Sequence, residues 1–120
     1  MVVPAKTVPG NVVLALDAHG GDFGPEVTLP AALDILSAQP NLEILICGIG
    51  QEVSQVLEKY RSEGNFNHCF ERLSRIDATH ALACDARPVA ALRRGRGSSL
   101  WLALEQVANG RANACVSAGS

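Results

Sequence analysis

Aromatic residues are scarce in this chain: one Trp, one Tyr and three Phe among 120 residues, with a single Met. A core without large rings must be built from Ala, Val, Leu and Ile, a composition that suits strands buried between helices. Long apolar runs are missing too. None approaches the ~20 residues that a membrane-crossing helix requires. The early run "VVLAL" is cut short by Asp17 and preceded by Pro4 and Pro9. It is too short for a secretory signal, and residues 1–10 read as a flexible tail ahead of the first strand. Basic excess is absent: 10 Lys and Arg stand against 12 Asp and Glu, a net charge of −2. That argues against a broadly nucleic-acid-binding surface. The four cysteines, Cys47, Cys69, Cys84 and Cys115, form no CxxC pair and match no common zinc spacing. They read as reduced thiols of a cytoplasmic protein, with no metal implied. His68 beside Cys69 is too small a set to hold an ion, and His80 has no visible partner. No HExxH, P-loop or Ser-His-Asp order is present, and nothing marks a covalent nucleophile.

What is present is alternation. "NVVLALDAHGG" (11–21), "LEILICGIG" (42–50) and "ANACVSAGS" (112–120) are apolar runs that end in small residues and glycine, and "RLSRIDAT" (72–79) is a weaker fourth. Continuous runs of this length fit strands covered on both faces. Between them lie helical periods. Val53, Val56, Leu57 and Tyr60 follow one helix face within 51–63, and Leu100, Ala103, Leu104 and Val107 follow one within 98–109. The latter has Ser98 or Ser99 as N-cap, Gly110 as stop and Trp101 off the stripe. Residues 26–38 read as helical from about Pro30, and a short helix starts near Pro88. A β-α-β-α-β-α-β order predicts a single α/β domain over 11–120, a mostly parallel sheet with helices on its faces. In such sheets ligands approach the carboxyl ends of the strands.

Three stretches fall at that edge. In "DAHGGDFGPE", Gly20 and Gly21 can present successive backbone N–H groups to an anion. Asp17 and Asp22 would repel a bare anion, but they can orient donors or handle a proton. The alternative is a tight strand-to-helix turn with Asp22 as a local cap. In "ALRRGRGSSLWLAL", Arg93, Arg94 and Arg96 precede Ser98 and Ser99 at a helix start, where unpaired N–H groups and the dipole favour phosphate. The alternative is a solvated basic loop with an ordinary serine cap. In "CVSAGS", Ser117 and Gly119 stand at the end of the last strand, or merely in the next turn. A fourth stretch, "CGIGQEV", shares the start of a dinucleotide fingerprint, but Val53 replaces its third glycine and Arg72 stands where an acid is expected.

"ALDAHGGDFGPE" and "PVAALRRGRGSSLWLALEQVANGRANACVSAG", in this order and spacing, closely resemble the bacterial phosphate acyltransferase family PlsX, from about Val12 to Gly119. The resemblance implies a three-layer α/β/α fold with a mostly parallel sheet, isocitrate/isopropylmalate dehydrogenase-like and related to phosphotransacetylase. Family members are longer, so it also implies that these residues are the N-terminal portion of one acyltransferase domain. The implied reaction transfers a long-chain acyl group from acyl carrier protein to inorganic phosphate. The acyl phosphate then feeds a membrane glycerol-3-phosphate acyltransferase. The implied protein is a cytoplasmic homodimer, peripheral to the inner membrane face, without metal or organic cofactor. By this resemblance Gly20, Gly21, Arg93, Arg94, Ser98, Ser99, Ser117 and Gly119 bind phosphate or acyl phosphate, and Asp17 and Asp22 orient or move protons. Arg93 or Arg94 alternatively meets the acidic carrier protein. His19 stands where the family usually has Met, and Gly97 where an acidic residue commonly precedes the serine pair. A second reading is a truncated, non-catalytic remnant that binds acyl carrier protein or itself, and a third is a nucleotide-binding domain resting on "CGIG".

Overall fold

A computed structural model of the chain describes residues 10–81 and 96–118. Strand β1 (Val12–Asp17) leads to helix α1 (Pro25–Ala38), strand β2 (Leu42–Ile49) and helix α2 (Gly50–Glu63). A 3-10 turn (Asn67–Arg72) precedes strand β3 (Leu73–Ala78), and helix α3 (Ser99–Ala108) precedes strand β4 (Ala114–Val116). The four strands form one sheet in the order β3-β2-β1-β4, every pairing parallel. Registers run from Val12 opposite Leu42 to Asp17 opposite Cys47, and from Leu14 opposite Ala114 to Leu16 opposite Val116. Asn113 holds β4 to β1 at its start: its N–H donates to the Val13 carbonyl and its side-chain oxygen accepts the Val13 N–H, both at 2.8 Å.

The period-two alternation of side chains sorts the core into two layers. Leu14, Leu16, Ile44 and Ile46 pack against Leu29, Leu33 and Leu36 of α1 and Val53 and Leu57 of α2. Val13, Ala15, Leu45 and Cys47 face Ala103 and Val107 of α3 on the other side. The fold is therefore the expected three-layer α/β/α arrangement. The chain winds from β1 to β3 in one direction, then crosses back to set β4 on the far side of β1. The strand order thus reverses between β1 and β4, and in open α/β sheets the crevice at the carboxyl ends of such a switch point is where ligands bind.

Several expectations need correction. Helix α1 begins at Pro25, not Pro30, because Pro25 presets φ at the first helical position and Pro30 is tolerated inside. Burial of Leu29, Leu33 and Leu36 holds the helix across the missing Pro30 N–H. Helix α3 is rotated from its apolar stripe: Ser99, Ala103 and Gln106 are buried, whereas Leu104 is 43% exposed. The Ser99 hydroxyl bonds inward to Asp17, which turns that edge of the helix toward the sheet. Strand β4 is only three residues long, and the glycines after β1 lie in a turn. The short helix near Pro88 lies outside the described residues, as do Cys84 and residues 1–9. His80 has partners: its Nδ1 meets the Thr79 hydroxyl at 2.8 Å, and its carbonyl accepts the Ser99 N–H. No helix among the described residues is long and apolar enough to cross a membrane.

Cys47 and Cys69 are buried in the two layers. Burial pushes the Cys47 thiol up to about 12, and the Asp17 carboxylate and Cys115 add to the effect. Burial also raises Cys69, opposed in part by Arg72. Both thiols should therefore resist iodoacetamide at mildly alkaline pH and react only on unfolding, as peptide mass spectrometry would read. An unfolded Cys47 ionises near 9.0 and the folded one near 12, so its contribution to stability holds below 9.0 and is lost as pH rises toward 12. Cys47→Ala should flatten that alkaline loss in urea titrations at increasing pH.

Candidate functional site

The site is built outward from Asp17, the last residue of β1. Strand alternation points its carboxylate to the α3 face, where it is only 5% exposed. Oδ1 accepts the Ser99 hydroxyl at 2.5 Å and the His19 N–H at 3.2 Å. Oδ2 accepts the Ser117 hydroxyl at 2.8 Å. Ser99 opens α3 and Ser117 follows β4, so the sequence-distant motifs meet on a single side chain. Hydrogen bonds to an ionised group are worth about 1.5–3 kcal/mol each, which offsets the cost of burying a charge. Among the described residues, these donors and not a cation hold the carboxylate.

Neighbouring backbone completes the crevice. The Gly20 N–H closes the turn onto the Asp17 carbonyl at 3.2 Å. Gly21 follows with φ of 82°, and a Cβ placed there would touch the Ala118 Cβ at 3.4 Å. Only glycine adopts that dihedral cheaply while letting the two loops come so close. Asp22 stands exposed beyond it and does not cap α1. The N-cap is Gly24, and Thr28 ties the helix to the loop by donating its hydroxyl to the Ala18 carbonyl at 2.6 Å. Ser98 is buried and is the N-cap of α3, accepting the Trp101 N–H at 3.2 Å. The α3 start is also fixed by backbone bonds from Thr79 to Gly97 and from Ser99 to His80. The Arg96 guanidinium lies 5.8 Å over the Trp101 ring, whose Nε1–H donates to Glu105. Arg93, Arg94 and Gly119 lie outside the described residues.

Sequence reasoning did not give His19 its role. Its Nε2 accepts the Ile49 N–H at 2.8 Å, so this nitrogen keeps its lone pair and the neutral ring carries its proton on Nδ1. The bond ties the β1 turn to the β2–α2 junction. That junction also settles the "CGIG" glycines. A Cβ on Gly48 would lie 2.7 Å from Val53 Cγ2 and 3.0 Å from Ala18 Cβ. On Gly50 it would lie 2.8 Å from the Asp77 carboxylate. These glycines serve close packing, and an acidic side chain sits against the helix start where a pyrophosphate would rest. The dinucleotide reading is corrected accordingly.

The family model described as fatty acid synthesis protein matches residues 12–120. The chain belongs to that family, the PlsX family that its motifs resemble, and so to the proteins of fatty acid and phospholipid synthesis.

The Asp17 cluster makes a stability prediction. Ser99→Ala leaves a buried carboxylate short of one donor and should cost about 1.5–3 kcal/mol in urea unfolding. Ser98→Ala removes only a cap and should cost about 1 kcal/mol.

Proposed function

We propose that this member of the fatty acid synthesis protein family is a phosphate acyltransferase that binds inorganic phosphate in the crevice between β1 and β4. It transfers a long-chain acyl group to that phosphate from acyl carrier protein. The observation that carries the reading is the meeting of Asp17, Ser99 and Ser117 at the point where the strand order reverses. Those residues belong to the same two motifs through which the family resemblance was drawn.

In this reading a phosphate oxygen attacks the thioester carbonyl, the C–S bond breaks, and the carrier leaves as its thiol. The phosphate hydroxyl proton ends on the departing sulfur, so the products are acyl phosphate and carrier thiol. No acyl-enzyme is needed, and catalysis rests on positioning the two reactants and stabilising the developing oxyanion. Asp17 acts through the serines it orients. Ser99 and Ser98 sit at the α3 start, whose N–H groups and dipole favour an anion. Gly20 and Gly21 shape the turn facing Ala118, and Gly119 is assigned to the same anion. Asp22, exposed beyond the turn, is assigned to orienting or proton handling. Arg93 and Arg94 are assigned to phosphate or to the acidic carrier surface. The proposed setting is a cytoplasmic homodimer at the inner membrane face that hands acyl phosphate to a membrane glycerol-3-phosphate acyltransferase.

One observation favours a second reading, in which the chain binds carrier protein or itself without turnover. An apolar groove of about 420 Å³ lies open beside α1, lined by Leu14, Leu16, Val27, Ile35 and Val116 among others. Val27, Ile35 and Val116 are each about half exposed. Uncovered apolar surface of this kind promotes association.

The deciding experiment is thiol release from a long-chain acyl carrier protein by the purified chain, with and without phosphate. Release that requires phosphate and scales with protein is the expected result. No release from a chain shown folded by circular dichroism would favour the binding reading.

A further inference from the structure

Helix α1 presents small residues where it passes β1 and β4. Between Val27 and Ile35 stand Thr28, Ala31 and Ala32, and the apolar groove of about 420 Å³ opens over them. Leu14 and Leu16 of β1 and Val116 of β4 form its other side. Thr28 is the one polar side chain among the described lining residues, and its hydroxyl is spent on the Ala18 carbonyl at 2.6 Å. Nothing in that lining rewards a polar or charged group. The groove reaches the carboxyl edge of the sheet at Thr28 and Ala118, and both adjoin the turn after β1: Thr28 through its bond to Ala18, Ala118 through its close approach to Gly21. Because α1 connects two parallel strands and runs back against them, the groove descends from that edge toward Leu14 and Ile35.

We infer that this groove is the bed of the substrate's alkyl chain, with the acyl head at the carboxyl edge and the methyl end toward Ile35. The size fits. A cavity of roughly 150 Å³ holds one benzene ring, so one of about 420 Å³ takes a chain of roughly a dozen carbons. A second copy of the protein fits less well, since ten described residues line the groove and a stable protein interface takes about 20–30 a side. Ala31, small and exposed midway along the groove, is then the residue that sets how far down the alkyl chain can lie. The inference rests on the proposed acyl-transfer reading for the group to which the alkyl chain is attached.

The test is isothermal titration of the full chain with inorganic phosphate and with butyl, octyl and dodecyl phosphate, each below its micelle concentration. Affinity is expected to rise roughly twofold to fourfold for each added methylene, as burial of a CH₂ group gives. Ala31→Phe should weaken dodecyl phosphate about tenfold or more and leave inorganic phosphate within about twofold. Ser37→Phe, on the same helix but outside the groove, should change neither. Both positions are exposed, so neither substitution disturbs the core. Equal affinity for butyl and dodecyl phosphate would overturn the inference and leave the phosphate site standing. A chain-length rise that Ala31→Phe leaves untouched would also overturn it. So would a ligand-free dimer, read by light scattering, that Ala31→Phe dissociates, since the groove would then belong to a second copy. Failure of inorganic phosphate to bind, with the chain-length rise and its loss in Ala31→Phe intact, would uphold the groove and overturn the phosphate reading alone. Failure of every ligand to bind would overturn both.

Discussion

The buried carboxylate of Asp17 is the constraint around which the other parts of the crevice are arranged. It lies at the end of a central strand, almost out of water, and must be supplied with donors. The supply comes from the turn that follows β1, from the first residue of α3 and from the residue after β4. Meeting that demand fixes where α3 begins and how it is rotated. It also holds the end of β4 at the correct depth beside β1. The left-handed backbone at Gly21 and the near contact with Ala118 are the steric side of the same closure.

Much of the architecture was legible in the sequence because burial on both faces leaves a strong mark. The runs at 11–21 and 42–50 contain β1 and β2, and the stripe Val53, Val56, Leu57 and Tyr60 lies on the inner face of α2. What local pattern could not give was pairing. The donors to Asp17 come from 82 and 100 positions away, and no periodicity encodes that. The rotation of α3 was hidden for the same reason, since Ser99 and Gln106 look like outward residues until the carboxylate facing Ser99 is known. Pro30 was read as a start because prolines commonly begin helices, but Pro25 had already taken that place. Gly48 and Gly50 looked like ligand glycines, when their missing Cβ atoms make room for Val53, Ala18 and Asp77.

The two ends of the site differ in kind. On the α1 side, His19 and Thr28 lace the turn to β2 and to α1 through short bonds, and leucines stand behind them. On the β4 side, three strand residues and the Asn113 clamp do the holding. The open apolar groove lies between the two, with Val27 and Ile35 of α1 on one side and Val116 of β4 on the other. Sheet edges are handled differently as well. β3 carries Arg75 and Asp77 on the face toward the α2 start, charges that discourage another strand from pairing there, and β4 among the described residues is only three residues long.

That brevity has a consequence for how the molecule breathes. A three-residue strand bonded on one side separates from its neighbour with far less work than the sheet as a whole requires. When it does, the Ser117 donor withdraws and Oδ2 of Asp17 meets water, while Oδ1 keeps the bonds from Ser99 and His19. The carboxylate is thus half anchored and half released by a fluctuation that leaves the core intact. The two oxygens of one carboxylate are therefore held by parts of the fold with different local stability, Oδ1 by the turn after β1 and the start of α3, and Oδ2 by the end of β4.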